Sequence, residues 1–342
     1  MAASSVSKWI LMASVMAVAA ASAAVAAENG NQVARDGLPE KYVKRIKQYQ
    51  KALDKLDDSE QSKGIFRNST LWGANYPKIR VCFQEGSQAL REVVANVAKE
   101  WQAEDNSVRF DFGKPGKRRT CQPENGKEMQ IRVSFSQDGY WSQLGQNSVV
   151  FVDQKEPSLN LGGFMNVTPD QLSDYEVGTI RHEFGHALGI EHEHQNPKGG
   201  CDGEYNWDLI YSYLEGPPNN WTKETIDWNL RHASGDDLQL TKFDKTSVML
   251  YQFPADFYKK GAKSKCFVPQ PNSQISAGDR ALVAKMYPAN AASRLENFQE
   301  NKEKFEAIWK KGDEATTKGV MFDAVKAFFD RPGTKDDPAE ED

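Results

Sequence analysis

The chain has 342 residues, room for one large domain or two small ones, and its 39% hydrophobic and 27% charged content predicts a packed core under a polar surface. A net charge of −5, with no basic patch interleaved with aromatics and no glycine-rich phosphate loop, argues against a nucleic-acid partner.

Residues 1–27 read as a secretory signal peptide. Lys8 supplies the positive region, Trp9 to Val18 is apolar, and an alanine-rich run follows to Ala27, with cleavage near Ala24 to Ala27. The apolar run is short for a membrane anchor, and no later segment is apolar enough to cross a bilayer. The mature protein is therefore expected to be secreted or extracytoplasmic, with no membrane contact after cleavage. Four cysteines in an exported chain suggest two disulfides. Three pairings are open. Cys82–Cys121, joining a strand to a nearby loop, and Cys201–Cys266 are favoured.

Residues 28–70 form an N-terminal segment. A helix is predicted from Pro39, which suits a first helical position, to about Asp58. Tyr42, Ile46, Tyr49, Leu53 and Leu56 make a narrow apolar stripe along it, so it docks on something.

Residues 71–289 carry most of the expected structure. Lys78 to Phe83 reads as a strand and Ser87 to about Gln102 as a helix capped by Ser87. Val108 to Phe112 and Met129 to Phe135 alternate as half-buried strands. Leu159 to Val167 is a glycine-containing strand, expected at a sheet edge. A helix follows from about Ser173 to Leu188. Aromatic-rich helical pieces come next, around Trp207–Leu214 and Trp221–Leu230. A closing helix runs from Ala277 to Met286, with Ser276 as N-cap and Asp279 in its first turn. Residues 290–342 form a C-terminal extension. Leu295, Phe298, Phe305, Ile308 and Trp309 suggest one amphipathic helix and Val320 to Phe329 a second, before an acidic end expected to be disordered.

The chemistry concentrates in His182-Glu183-Phe184-Gly185-His186-Ala187-Leu188-Gly189-Ile190-Glu191-His192, the pattern HExxHxxGxxH. His182 and His186 lie one helical turn apart on one face, so both imidazoles reach one metal ion. Gly189 can take positive φ and end the helix, letting His192 return as a third ligand. Three protein ligands leave a position for water, the signature of catalytic Zn2+. Glu183 stands beside the first ligand, placed to take a proton from zinc-activated water. Further on, Met249 is expected to pass beneath the metal as an apolar floor. Tyr251 is expected to point its phenol at the metal or at the reacting carbonyl, and to donate a hydrogen bond to the oxyanion as it forms.

These motifs resemble the metzincin clan of zinc endopeptidases, and within it the astacin family. The resemblance rests on HExxHxxGxxH, on Glu193 directly after the third histidine, and on Ser247-Val248-Met249-Leu250-Tyr251. It also rests on Gly139-Tyr140-Trp141-Ser142-Gln143-Leu144-Gly145, and on Ser276 to Pro288 with Asp279 and Tyr287. It implies an α+β metzincin-like fold: a twisted mixed sheet with two long helices and an irregular lower subdomain around a zinc cleft. It further implies that an edge strand near Leu159–Phe164 pairs with an extended protein or peptide substrate. The chain departs from the family at Leu250, where many members have histidine. It departs again at His194-Gln195-Asn196-Pro197, which lacks the usual charged residues. Residues 28–70 hold no family switch motif, so this segment reads either as a prosegment over the cleft or as a helix packed on the domain's side. The function implied is a secreted zinc-dependent endopeptidase with Glu183 as general base. The alternatives are a zinc-binding protein with latent or no catalysis, and a zinc amidase acting on non-protein amides.

Overall fold

The computed structural model describes residues 37–56, 70–73, 76, 78–122, 128–217, 219–231, 241–311 and 325–326. Residues 1–27, the acidic end and most of Val320 to Phe329 lie outside them. In chain order the elements are α1 (Glu40–Leu56), β1 (Ile79–Phe83), α2 (Gln88–Ala98), β2 (Phe110–Asp111), β3 (Gly113–Lys114), β4 (Lys117–Arg118), β5 (Ile131–Ser134), β6 (Tyr140–Ser142), α3 (Asn147–Val150), β7 (Leu159–Leu161), α4 (Asp174–Ala187), α5 (Cys201–Glu204), α6 (Trp207–Leu214), α7 (Lys223–Leu230), α8 (Ala277–Met286) and α9 (Ala291–Lys311). No helix among the described residues is long and apolar enough to cross a membrane.

The main sheet has the order β2-β1-β5-β7-β6. β1 pairs in parallel with β2 and β5, β7 is parallel to β5, and β6 runs antiparallel to β7. β3 and β4 form a separate antiparallel hairpin. Two helices pack on one face of the sheet. α2 starts where Ser87 Oγ accepts from Leu90 N, and α4 starts at a capping box between Ser173 and Glu176. Between sheet and helices lie Val81, Phe83, Leu90, Val94, Phe112, Ile131, Val133 and Phe184, each 2% exposed or less. Burial of each such side chain is worth about 1.5–3 kcal/mol. This is the α+β metzincin-like architecture expected from the sequence.

Two expectations fail in instructive ways. The stretch Leu159 to Val167 is not an edge strand. β7 is short and interior, with β5 on one side and β6 on the other, so it has no side left for a substrate. Its glycine signal has another cause. A Cβ on Gly162 would lie 2.5 Å from the Gln137 carbonyl and 2.6 Å from that of Gly139, so glycine there permits close backbone approach. The edges of the sheet are β2 and β6, and β6 is the one beside β7. β5 is also not half-buried, because all four of its residues are enclosed. Arg132 is completely buried and donates to the carbonyls of Met129, Ser148 and Glu156, so the loop after α3 covers the polar face.

Beyond His192 the chain is mostly turns, short helices and aromatic packing. Tyr205, Ile210, Leu214, Ile226, Leu230, Phe253, Phe257 and Tyr258 form a second core there. The Cys201–Cys266 disulfide ties that region, and Cys82–Cys121 ties β1 to the loop after β4, as expected.

α1 occupies the flank where these two parts meet. Tyr42, Val43, Ile46 and Tyr49 are buried in a third cluster with Trp141, Phe151 and Val152. Phe298 of α9 and Val325 join this cluster, so both terminal segments dock at one place. The side chains of Leu53 and Leu56 lie outside the described set. On the sheet side Gly37 N donates to Tyr140 O at 3.1 Å, on the outer edge of β6. On the lower side Leu38 N donates to Asn229 Oδ1 at 3.2 Å, and Lys47 Nζ pairs with Glu224 at 2.9 Å.

Candidate metal centre

α4 puts the rings of His182 and His186 4.7 Å apart on its buried face. The helix ends in a Schellman motif. Gly189 has φ +91°, its N–H donates to His186 O at 2.7 Å, and Ile190 N donates to Gly185 O at 3.1 Å. This turn frees the chain to bring His192 back, and it also aims the Ile190 carbonyl at His186 Nδ1, 2.7 Å away. The last carbonyls of α4 are taken up by distant groups: Gly145 N on His186 O, Trp72 Nε1 on Ala187 O, and the Tyr287 hydroxyl on Leu188 O at 2.6 Å.

His192 Nε2 lies 3.1 Å from His186 Nε2. One ligand atom from each of His182, His186 and His192 lies within 4.8 Å of the others, and all three residues are buried. Every Nδ1 has an oxygen partner. His182 Nδ1 meets Val248 O at 2.7 Å, His186 Nδ1 meets Ile190 O, and His192 Nδ1 meets Gln195 Oε1 at 3.1 Å. Those oxygens accept, so the ring protons belong on Nδ1 and the Nε2 lone pairs face inward. Burial, reinforced by the neighbouring imidazoles, pushes His186 and His192 well below the usual histidine value, which keeps them neutral. Two inward lone pairs 3.1 Å apart repel unless a cation lies between them. Tetrahedral zinc at ordinary Zn–N distances separates its nitrogens by roughly 3.3 Å. The three histidines therefore fit a zinc ion.

Glu183 is completely buried on the same helix. Met249 is also fully buried and reaches α4 because residue 185 is glycine; a Cβ there would lie 2.5 Å from Met249 Sδ. Tyr251 packs among the imidazoles. Its ring centre is 4.1 Å from that of His192, 4.7 Å from His194 and 5.7 Å from His182. The structure thus brings together every residue singled out in the sequence: His182, Glu183, His186, His192, Met249 and Tyr251.

Several supporting residues were not singled out for these parts. Asp279 caps α8 through Ser276 N, as its position in the sequence suggests, but the same carboxylate also accepts from Ser247 Oγ at 2.6 Å and Val248 N at 3.0 Å. It thereby holds the turn whose Val248 carbonyl orients His182. Glu193 N donates to Met249 O at 2.9 Å, and its carboxylate accepts from Asp244 N and Asn196 Nδ2. Burial, opposed in part by those hydrogen bonds, raises this carboxyl to about 7. Nothing local in the sequence marks Asp279 or Tyr287 as partners of residues so far away in the chain.

No family model matches the chain. It is 30% identical over 140 residues to high choriolytic enzyme 2 of Oryzias latipes, covering 41% of this chain and 40% of that protein. The chain thus spans about two fifths of the length of the curated relatives it matches. Among solved structures it is similar to myroilysin, at 32% identity and a TM-score of 0.52, covering 65% of this chain and 97% of that one. High choriolytic enzyme 1 of Oryzias latipes, described as a hatching enzyme zinc-protease, aligns at 20% identity with a TM-score of 0.40, over 64% of this chain and 95% of that one. With the zinc-binding histidine pattern, the turn at Met249 and this fold, the chain belongs to the metzincin zinc endopeptidases, in their astacin-like branch.

Proposed function

We propose that the protein is a secreted zinc-dependent endopeptidase, with His182, His186 and His192 holding the metal, Glu183 as general base and Tyr251 as oxyanion donor. The observation that carries this reading is the convergence of three inward-facing Nε2 atoms, each ring anchored at Nδ1, beside a fully buried glutamate. Bound zinc supplies Lewis acidity, lowering the pKa of a coordinated water to about 7 and polarising a carbonyl. Glu183 accepts the proton of the attacking water and delivers it to the leaving amine nitrogen. Tyr251 donates its phenol proton in a hydrogen bond to the carbonyl oxygen as negative charge develops there, an interaction worth about 3 kcal/mol. Met249 gives the imidazoles an apolar floor.

An extended protein or peptide substrate adds to the sheet at β6, the edge strand, rather than at Leu159–Phe164. The proposal keeps the division into signal peptide 1–27, N-terminal segment 28–70, catalytic unit 71–289 and C-terminal extension 290–342. Gly37 already uses the Tyr140 carbonyl on the outer edge of β6, which supports reading residues 28–70 as a segment that restricts access. Removing that segment is expected to raise the rate on large substrates. An unchanged rate with lower stability would make α1 a structural helix only.

The deciding experiment is cleavage of a denatured protein by the zinc-loaded chain, with Glu183→Ala alongside. Hydrolysis is expected to be abolished by a chelator and to fall about 10³-fold in Glu183→Ala while bound zinc stays the same. A mutant with normal turnover would remove Glu183 from the reaction.

A further inference from the structure

His182 and His186 are oriented by backbone carbonyls, those of Val248 and Ile190. His192 is different, because the partner of its Nδ1 is a side chain, Gln195 Oε1 at 3.1 Å. We infer that Gln195 is a positioning residue that sets the tautomer and ring orientation of His192, using the C-terminal end of α7 as its anchor.

A glutamine amide has two N–H donors and one acceptor oxygen. Gln195 Nε2 donates to two backbone carbonyls, Trp228 O and Arg231 O, each at 3.0 Å. Backbone carbonyls only accept, so both N–H groups are committed and the amide cannot flip without setting its oxygen against two others. Oε1 must then face His192, and it too only accepts. The proton of His192 is thereby placed on Nδ1, and the Nε2 lone pair points towards His186. The neighbouring residue reinforces the same docking. His194 is fully buried, with Nε2 3.2 Å from Asn229 O, so the carbonyls of Trp228, Asn229 and Arg231 at the end of α7 receive the turn after His192. α7 is braced in turn by Asn229 Nδ2 on Thr225 O at 2.9 Å and by Leu38 N on Asn229 Oδ1. Two of the three orienting groups are thus backbone carbonyls, which no side-chain substitution removes, and the third is a side chain.

This inference rests on the reading of the histidines as zinc ligands. Its test uses the full chain and does not depend on turnover. Imidazole ¹⁵N signals of the metal-free protein report each ring's tautomer, and competition with a chelator reports zinc affinity. Gln195→Met keeps the length and removes both hydrogen-bonding functions. His192 is expected to lose its Nδ1–H signature while His182 and His186 keep theirs, and zinc affinity is expected to fall about 10–100-fold. A purely structural role for Gln195 would lower the melting temperature and leave the His192 tautomer unchanged, and that result overturns the inference. If Gln195→Met does not fold, the metal-free wild-type chain decides: a protonated Nδ1 with a bare Nε2 on His192 supports the assignment, and a protonated Nε2 overturns it. Failure of the wild-type chain to bind zinc would end the ligand reading, while the tautomer measurement would still judge Gln195.

Discussion

α4 and the chain beyond His192 each supply half of the site, and they hold their residues by different means. His182, Glu183 and His186 sit within one helical turn, so their spacing is a consequence of the helix hydrogen-bond ladder. His192, Met249 and Tyr251 sit on turns. Their places depend on a few side chains reaching across the fold: Asp279 to the turn at Met249, Glu193 to Asp244, and Gln195 to α7. The first half is robust because many equivalent bonds share the task. The second half depends on single groups, and removing one of them has consequences at the metal.

The two disulfides probe that contrast most strongly. Each closes a long loop, with sequence separations of 39 and 65, and each is worth about 4 kcal/mol by chain entropy. Replacing Cys82 and Cys121 by serine is expected to lower stability in denaturant while the folded fraction keeps its zinc. Replacing Cys201 and Cys266 is expected to cost both stability and zinc content, because the lower region carries His192. Equal zinc retention in the two double mutants would erase the distinction. Next in size is Tyr251→Phe, expected to lower kcat about 100-fold with zinc content unchanged, read by steady-state kinetics and metal analysis. Unchanged kinetics would make the tyrosine a bystander in the aromatic packing.

Smaller effects sharpen the boundary between the halves. Asp279→Ala leaves Ser247 Oγ, Val248 N and Ser276 N without their acceptor, and urea unfolding is expected to show a loss of about 2–3 kcal/mol. Zinc affinity should fall with it, since the Val248 carbonyl orients His182. A stable Asp279→Ala chain with normal affinity would show that the turn holds without the clamp. Gly185→Ala lies at the contact itself. The added methyl must displace Met249 or Trp101, and about 1–3 kcal/mol of destabilisation is expected.

Much of this was legible because the signals are local. The caps at Ser87 and Ser276, the start of α4 at Ser173, the glycine that ends α4 and the extents of α6 and α8 all depend on neighbours within one or two turns. The misread stretches share a non-local cause. Gly162 reads like an edge signal, yet the backbone of residues 137–139 pressing on it is what excludes a side chain. Arg132 and Ser134 read like a wet face, yet α3 and the loop after it close over Arg132, and Ser134 donates to Glu85 from the turn after β1. Alternation of polar and apolar residues reports two faces of a strand and says nothing about what later covers either one.

The sequence by itself determined the histidine cluster and the fold class. Three histidines at HExxHxxGxxH spacing converge through helix period and one left-handed glycine, and both of those are properties of adjacent residues. The tertiary structure alone decided which strand forms the edge and which distant groups orient the rings. Only there do Asp279, Gln195 and the end of α7 meet the metal-facing histidines, because hydrogen-bond partners separated by tens of residues are chosen by packing and leave no periodic trace in the chain.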